Sequence, residues 1–163
     1  MNENQTNDHW ADGHSFLGKI YLLDASGRLP VHIFKSHHDL SFGVNIKTDD
    51  GWLKVGGDFA APGFQFRFHS KAKDRLHFNI SLASNSRRKL GASSEGYLGL
   101  YEQEAELDYW KLQPLAWSRH ELRCLIRDHL GHQIKSTHTP GTNIAYLTTA
   151  EGTPHEFVIE RSR

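Results

Sequence analysis

The chain has 163 residues, enough for one domain to bury a sizeable core. Its 19 Lys and Arg balance 19 Asp and Glu, which leaves no strong field for nucleic acid or an anionic membrane, while 12 histidines make the charge respond to acid. Cys124 is the only cysteine, so an intrachain disulfide and a multi-cysteine zinc site are both excluded. No run approaches the ~18 apolar residues of a membrane-spanning helix, and no N-terminal apolar stretch has the form of a signal peptide. The expected location is the cytoplasm, or outside the cell without a leader.

Residues 1–14 are polar and without period, which predicts a mobile tail ahead of one domain over 15–163. Lys19–Leu23 and Leu29–Phe34 are short β-prone runs about the turn-forming 24–28, the pattern of a hairpin. From residue 29 onward one apolar skeleton returns three times, in copies near 29–70, 75–117 and 120–163. Phe34, Ile80 and Leu125 mark it first, then Val44, Leu90 and Ile134, then Leu53, Leu98 and Leu147, and finally Phe66, Trp110 and Phe157. Lys19–Leu23 is either the first strand of the first copy or an added N-terminal strand; the count puts Phe34 in phase and favours the second.

Within each copy the apolar residues alternate, as in Trp52–Val55, Tyr97–Leu100, Phe64–Phe68 and Phe157–Ile159. Period two, broken by turns rich in Gly, Ser and Asn, predicts an all-β chain of short strands. Gln103–Tyr109 and His120–Arg127 show some helical pairing, but their counterparts in the other copies are β-like, so strand is expected there too.

The chain resembles the β-trefoil family. The resemblance rests on Gly96-Tyr97-Leu98-Gly99-Leu100 and Tyr109-Trp110-Lys111-Leu112 in the second copy. Gly51-Trp52-Leu53 and Phe66-Arg67-Phe68 carry it in the first, and Ala145-Tyr146-Leu147, without the glycine, in the third. It implies three repeats of about four strands, six strands closing a barrel and the rest forming hairpins over one end. Trefoils serve as lectins, protease inhibitors, cytokines, actin bundlers and toxin modules, so the fold alone does not name the function. The Gln-x-Trp of ricin-type lectins is missing. The Gly-x-Tyr-Leu hairpin of fascin-like modules is matched in the second copy only.

If Leu53, Leu98 and Leu147 point inward, Trp52, Tyr97 and Tyr146 point the other way. Polar partners precede them: Asp49 and Asp50, Glu95, and Asn143. Two readings of these rings stand. They close the base of the barrel, or they form three separate platforms on which a sugar stacks while the polar side chains take its hydroxyls. The expectation is a non-enzymatic, lectin-like module for a carbohydrate or glycoconjugate, needing no cofactor, with unequal sites of which the Trp52 site is strongest. The alternative is a protein-binding module (protease inhibitor, actin-bundling or toxin-associated) acting through a protruding loop at Lys35–Ser41 or Asp58–Gly63.

Other chemistry is thinner. His37 and His38 point opposite ways on a strand, and with Asp39, His32 or His69 they lack metal-ligand spacing, as do His129, His132 and His138. The expectation is solvated loop histidines. No nucleophile elbow, phosphate loop or dinucleotide fingerprint occurs. The basic 71–75 and 87–89 and the acidic 102–108 are expected to be solvated turns that partly pair with one another.

Overall fold

The structure, a computed structural model, describes residues 9–39 and 41–162, with the side chains of His38 and Asp39 outside the description. Among the described residues the chain forms strands and turns and no helix. In chain order the first strands are β1 (Phe16–Asp24), β2 (Gly27–Pro30), β3 (His32–Asp39), β4 (Val44–Val55) and β5 (Phe64–Ala72). Next come β6 (Arg75–Leu82), β7 (Asn85–Ala92), β8 (Leu98–Glu102), β9 (Trp110–Trp117) and β10 (Glu121–Arg127). The last are β11 (Lys135–His138), β12 (Ala145–Thr148), β13 (Thr153–Pro154) and β14 (Phe157–Arg161).

Six of these close an antiparallel barrel, pairing in the cyclic order β1–β5–β6–β9–β10–β14 and back to β1. Alternation decides which side chains fill it. Ile20 and Leu22, Phe64 and Phe66, Phe78 and Ile80, Trp110 and Leu112, Leu122 and Cys124, Phe157 and Ile159 are all buried. Each strand turns every second residue inward, and closure leaves none of the six with an open edge. Burial raises the Cys124 thiol pKa far above its ordinary value and leaves the sulfur unreactive.

Three hairpins accompany the barrel: β3–β4, β7–β8 and β11–β12. They join one another through Trp52 opposite Gly99, Tyr146 opposite Lys54, and a bridge between Tyr97 and Thr148. This meeting of hairpins positions the candidate site.

Several expectations change. Residues 1–8 of the expected tail lie outside the described residues, but 9–14 are not a loose tail. Trp10 and Ala11 are buried in the core, with Trp10 edge-on to Phe16 and Trp117 and its indole N–H donated to the Ser118 carbonyl at 3.0 Å. One aromatic in a polar segment was enough to fasten it. Lys19–Leu23 is not an added strand either; it lies inside β1, which the barrel needs for closure.

The first two sets of marks also separate. Phe34 lies in hairpin strand β3, whereas Ile80 and Leu125 lie in barrel strands β6 and β10. Val44 is exposed, whereas Leu90 and Ile134 are buried. The long β3–β4 hairpin shifts the register of the first part of the chain. The last two sets occupy like places: Leu53, Leu98 and Leu147 are buried on β4, β8 and β12, and Phe66, Trp110 and Phe157 on β5, β9 and β14. Gln103–Tyr109 is an irregular loop, not a strand; Gly91 beneath it leaves room for Leu107, which a Cβ would meet at 2.8 Å.

Candidate functional site: an aromatic cleft between the hairpins

Within β4 the run Asp49-Asp50-Gly51-Trp52 makes a tight kink where the pairing with β3 shifts register. Gly51 takes a positive φ of 77°, the Asp49 carboxylate accepts the Gly51 N–H at 2.9 Å, and that of Asp50 accepts the Trp52 N–H at 3.1 Å. Short acceptors of this kind cap their own backbone two residues on. The turn delivers the Trp52 ring onto Gly99 of β8, where a Cβ would lie 3.0 Å from the indole. Only a residue without a side chain lets the ring rest on the sheet.

Tyr97 is set by a second turn, its N–H donated to Ser93 Oγ at 3.1 Å after Gly96 at φ 94°. Tyr146 comes from β12 and meets Tyr97 edge-to-face, with ring centroids 6.5 Å apart. The three rings expected on separate platforms therefore share one open cleft of about 620 Å³, lined by them with Ser93, Ser94, Glu95 and Thr139. Trp52 is 37% exposed, and Tyr97 and Tyr146 are half-buried. Period two correctly put the rings on one side of their strands; what it could not show was that the hairpins lean together.

The other expected polar groups do different work. Asp49 is held by Arg88 in a two-point ion pair at 2.5 and 3.0 Å, which keeps its carboxyl below the usual range and raises the guanidinium. Asp50 accepts from Lys54 Nζ at 2.6 Å, and Lys54 is wholly buried beneath the cleft. The same ammonium donates to the Trp52 carbonyl at 2.8 Å and lies 5.5 Å from the centre of the Tyr146 ring. Burial lowers the Lys54 pKa, with Asp50 pulling against it. Asn143 is not part of the cleft lining: its carbonyl packs on Gly56, where any Cβ would overlap it. Of the seven expected residues, Trp52, Glu95, Tyr97 and Tyr146 face the cleft, Asp49 and Asp50 brace its floor, and Asn143 stands apart. Ser93, Ser94, Thr139 and Lys54 were not anticipated. A lysine two residues after an outward tryptophan reads as solvated, and only the crossing of β12 covers it.

His32 departs from the expectation of a solvated loop histidine. It is fully buried, receives the Phe34 N–H on Nδ1 at 3.0 Å and meets the Gly56 carbonyl with Nε2 at 2.6 Å. Nδ1 accepts, so Nε2 carries the proton and the ring is neutral. Burial lowers its pKa, and the same cause lowers that of His77. The unfolded chain then takes up protons that the fold refuses once pH drops below about 6.5, so stability holds above that value and falls beneath it. Urea midpoints should decline from pH 7 toward pH 5, and His32→Gln should flatten the decline; an equally steep fall in the variant would refute the assignment.

His69 and His138 are exposed, His132 pairs with Asp128 at 3.0 Å, and His129 lies 3.5 Å from Asp108. Among the described residues no group of three or more His, Cys, Asp or Glu side chains gathers as a metal site. The charged segments pair mostly with residues outside them, Lys71 with Asp12 at 3.1 Å, Arg88 with Asp49 and Glu106 with Arg67, while Arg75 pairs with its neighbour Asp74 at 2.9 Å; between the segments Lys89 lies 3.8 Å from Glu106. Buried Lys89 donates to the carbonyls of Glu104 and Ala105 and so fastens the acidic loop.

A second surface feature stands out. The β3–β4 ladder runs from Phe34 opposite Asp49 to Asp39 opposite Val44, and Phe42, Val44 and Ile46 near its tip are exposed, Phe42 by 77%. Compared with family models, with characterised proteins and with solved structures, the chain matches none of them.

Proposed function

We propose that the chain is a β-trefoil binding module, not an enzyme, and that it takes a carbohydrate in the cleft of Trp52, Tyr97 and Tyr146. The trefoil reading is supported by a six-stranded barrel accompanied by three hairpins that meet one another. The carbohydrate reading is carried by one observation: three aromatic rings converge on an open cleft whose remaining lining is hydroxyl and carboxylate. A ring face suits the apolar face of a sugar, and Ser93, Ser94, Glu95 and Thr139 suit its hydroxyls. Binding is favoured over hydrolysis because Glu95 is the single carboxylate in that lining, and glycoside cleavage needs a pair.

The test is a glycan array followed by calorimetry on the hits. Trp52→Ala should weaken binding about 30-fold, roughly 2 kcal/mol, as loss of a stacking hot spot does. An array without hits would sink the proposal. The exposed β3–β4 hairpin favours a second reading, a protein partner held by Phe42, Val44 and Ile46. Under that reading Phe42→Ser abolishes partner binding and Trp52→Ala spares it.

A further inference from the structure

The cleft does not end at Trp52. Directly opposed residues of antiparallel strands share a face, and in the β7–β8 hairpin Gly91 opposes Gly99 and Lys89 opposes Tyr101. Tyr97, just before β8, and Gly99 and Tyr101 within it alternate and so point to that same face. The two glycines make a trough, and an aromatic ring lies on each. Trp52 covers Gly99, and the Tyr101 ring comes within 3.2 Å of where a Cβ on Gly91 would stand. Trp52 and Tyr101 meet edge-to-face at 6.5 Å, the separation that also relates Tyr97 and Tyr146. The result is a strip of rings, Tyr146–Tyr97–Trp52–Tyr101, over one face of the β7–β8 hairpin, with Trp52 supplied by β4 and Tyr146 by β12.

At the Tyr101 end the strip runs into a second, more enclosed cavity of about 260 Å³. Its walls include Ala92 and Tyr101 from the hairpin, Asp108 and Tyr109 from the acidic loop, and Asp128 and His129 from the turn after β10. Ala92 lines this cavity and its neighbour Ser93 lines the first, so the two are contiguous along the chain. The loop is already in place: Lys89 Nζ holds the Glu104 carbonyl at 2.6 Å, and Asn79 Nδ2 holds that of Leu107 at 3.0 Å. A cavity held open in this way costs little ordering when a ligand enters.

Charge narrows the ligand further. The two linings carry Glu95, Asp108 and Asp128 and hold neither Lys nor Arg. A sulfated or uronic glycan would meet three carboxylates and no Lys or Arg, and the one histidine of the linings, His129, already lies 3.5 Å from Asp108, which opposes such a ligand. We infer that the ligand is a linear, neutral oligosaccharide lying along the ring strip, with its end unit in the cavity beneath the acidic loop. This rests on the carbohydrate reading of the first cleft and extends it from one sugar to a chain.

Calorimetry with β-1,4-linked oligomers of glucose and of N-acetylglucosamine, one to five units long, tests it, with a sulfated tetrasaccharide for comparison. For at least one series the affinity should rise about tenfold or more from one unit to four, and the sulfated sugar should bind more weakly than a neutral chain of its length. His129→Trp, at a partly exposed wall of the second cavity, should obstruct it and flatten the dependence on length. Asp108→Ala, an exposed change that the fold tolerates, should reduce it. Oligomers that bind no more tightly than the single sugar, a preference for the sulfated chain, or a full length dependence in both variants would each overturn the inference and leave the first cleft's role intact. Failure of every neutral sugar at every length would overturn both.

Discussion

Replacing Asp50 by alanine is expected to destabilise the fold by about 3 kcal/mol, although its side chain, midway along β4, still reaches solvent. Its carboxylate is the counter-charge of Lys54, which is wholly buried and reaches it at 2.6 Å. A buried ammonium without its partner bears its full desolvation cost, while the Trp52 carbonyl at 2.8 Å returns only part of it. The substitution also strips the acceptor from the Trp52 N–H, so the turn that aims the ring into the cleft loosens. The control is Asp50→Asn together with Lys54→Met. With both charges gone, a similar volume and an acceptor kept, the pair should return to within about 1 kcal/mol of the native protein, because well-packed apolar replacements of buried ion pairs are often neutral. Urea unfolding of the native chain, the single variant and the double variant measures all three. A single variant as stable as the native chain would show that Lys54 loses its proton or escapes to water, and that the pair does not hold the cleft.

What could be read from the sequence, and what could not, divides along the line between local and crossing structure. Alternation in Phe64–Phe68 and Phe157–Ile159 is a property of one strand, and these runs are the barrel strands it implies. The leucines Leu53, Leu98 and Leu147 behave alike because each follows an outward aromatic, and that too is local. Phe34 and Val44 were matched to residues of the wrong strands because spacing by count assumes loops of equal length. The β3–β4 hairpin breaks that assumption, since β1 begins 59 residues before β6 while β6 begins 46 before β10.

The same division runs through the candidate site. Trp52, Tyr97 and Tyr146 were identifiable one strand at a time, whereas their convergence depends on pairings such as Tyr146 with Lys54, which no period encodes. Buried polar groups were the hardest to foresee. His32 is expected in solvent and nothing in the sequence marks Lys54, and the chain segments that cross over them take both out of water. Trp10 is the converse case: an apolar residue in a polar tract, legible as an anchor only once Phe16 and Trp117 are known to lie beside it.

The largest loss is expected at Phe78. Its ring is fully buried in the barrel and is touched edge-on by Phe16 at 5.4 Å, Phe66 at 6.1 Å and Phe68 at 5.6 Å, from strands β1 and β5. Its own strand β6 also pairs with β9, where it stands opposite Trp110, so one side chain ties four of the six barrel strands. Phe78→Ala removes the ring's transfer free energy and leaves a cavity that stacked aromatics cannot collapse to fill, a cost of about 4 kcal/mol. Set against a typical stability of about 5–15 kcal/mol, that leaves about 1–11 kcal/mol, so the unfolding midpoint falls steeply and a chain at the low end of the range is partly unfolded at ambient temperature. Phe42→Ala on the exposed hairpin, an identical chemical change, should cost no more than about 0.5 kcal/mol. Fluorine NMR of the chain labelled with 5-fluorotryptophan, recorded in urea, measures both midpoints and resolves Trp52 in the cleft from Trp110 in the barrel. Because β7 pairs with β6 and the cleft is built on β7–β8, the two signals should be lost together at the lowered midpoint. A Trp110 signal lost well before that of Trp52 would show that the hairpins hold the cleft without the barrel; a midpoint unchanged by Phe78→Ala would show that the ring does not lie at the centre of the core.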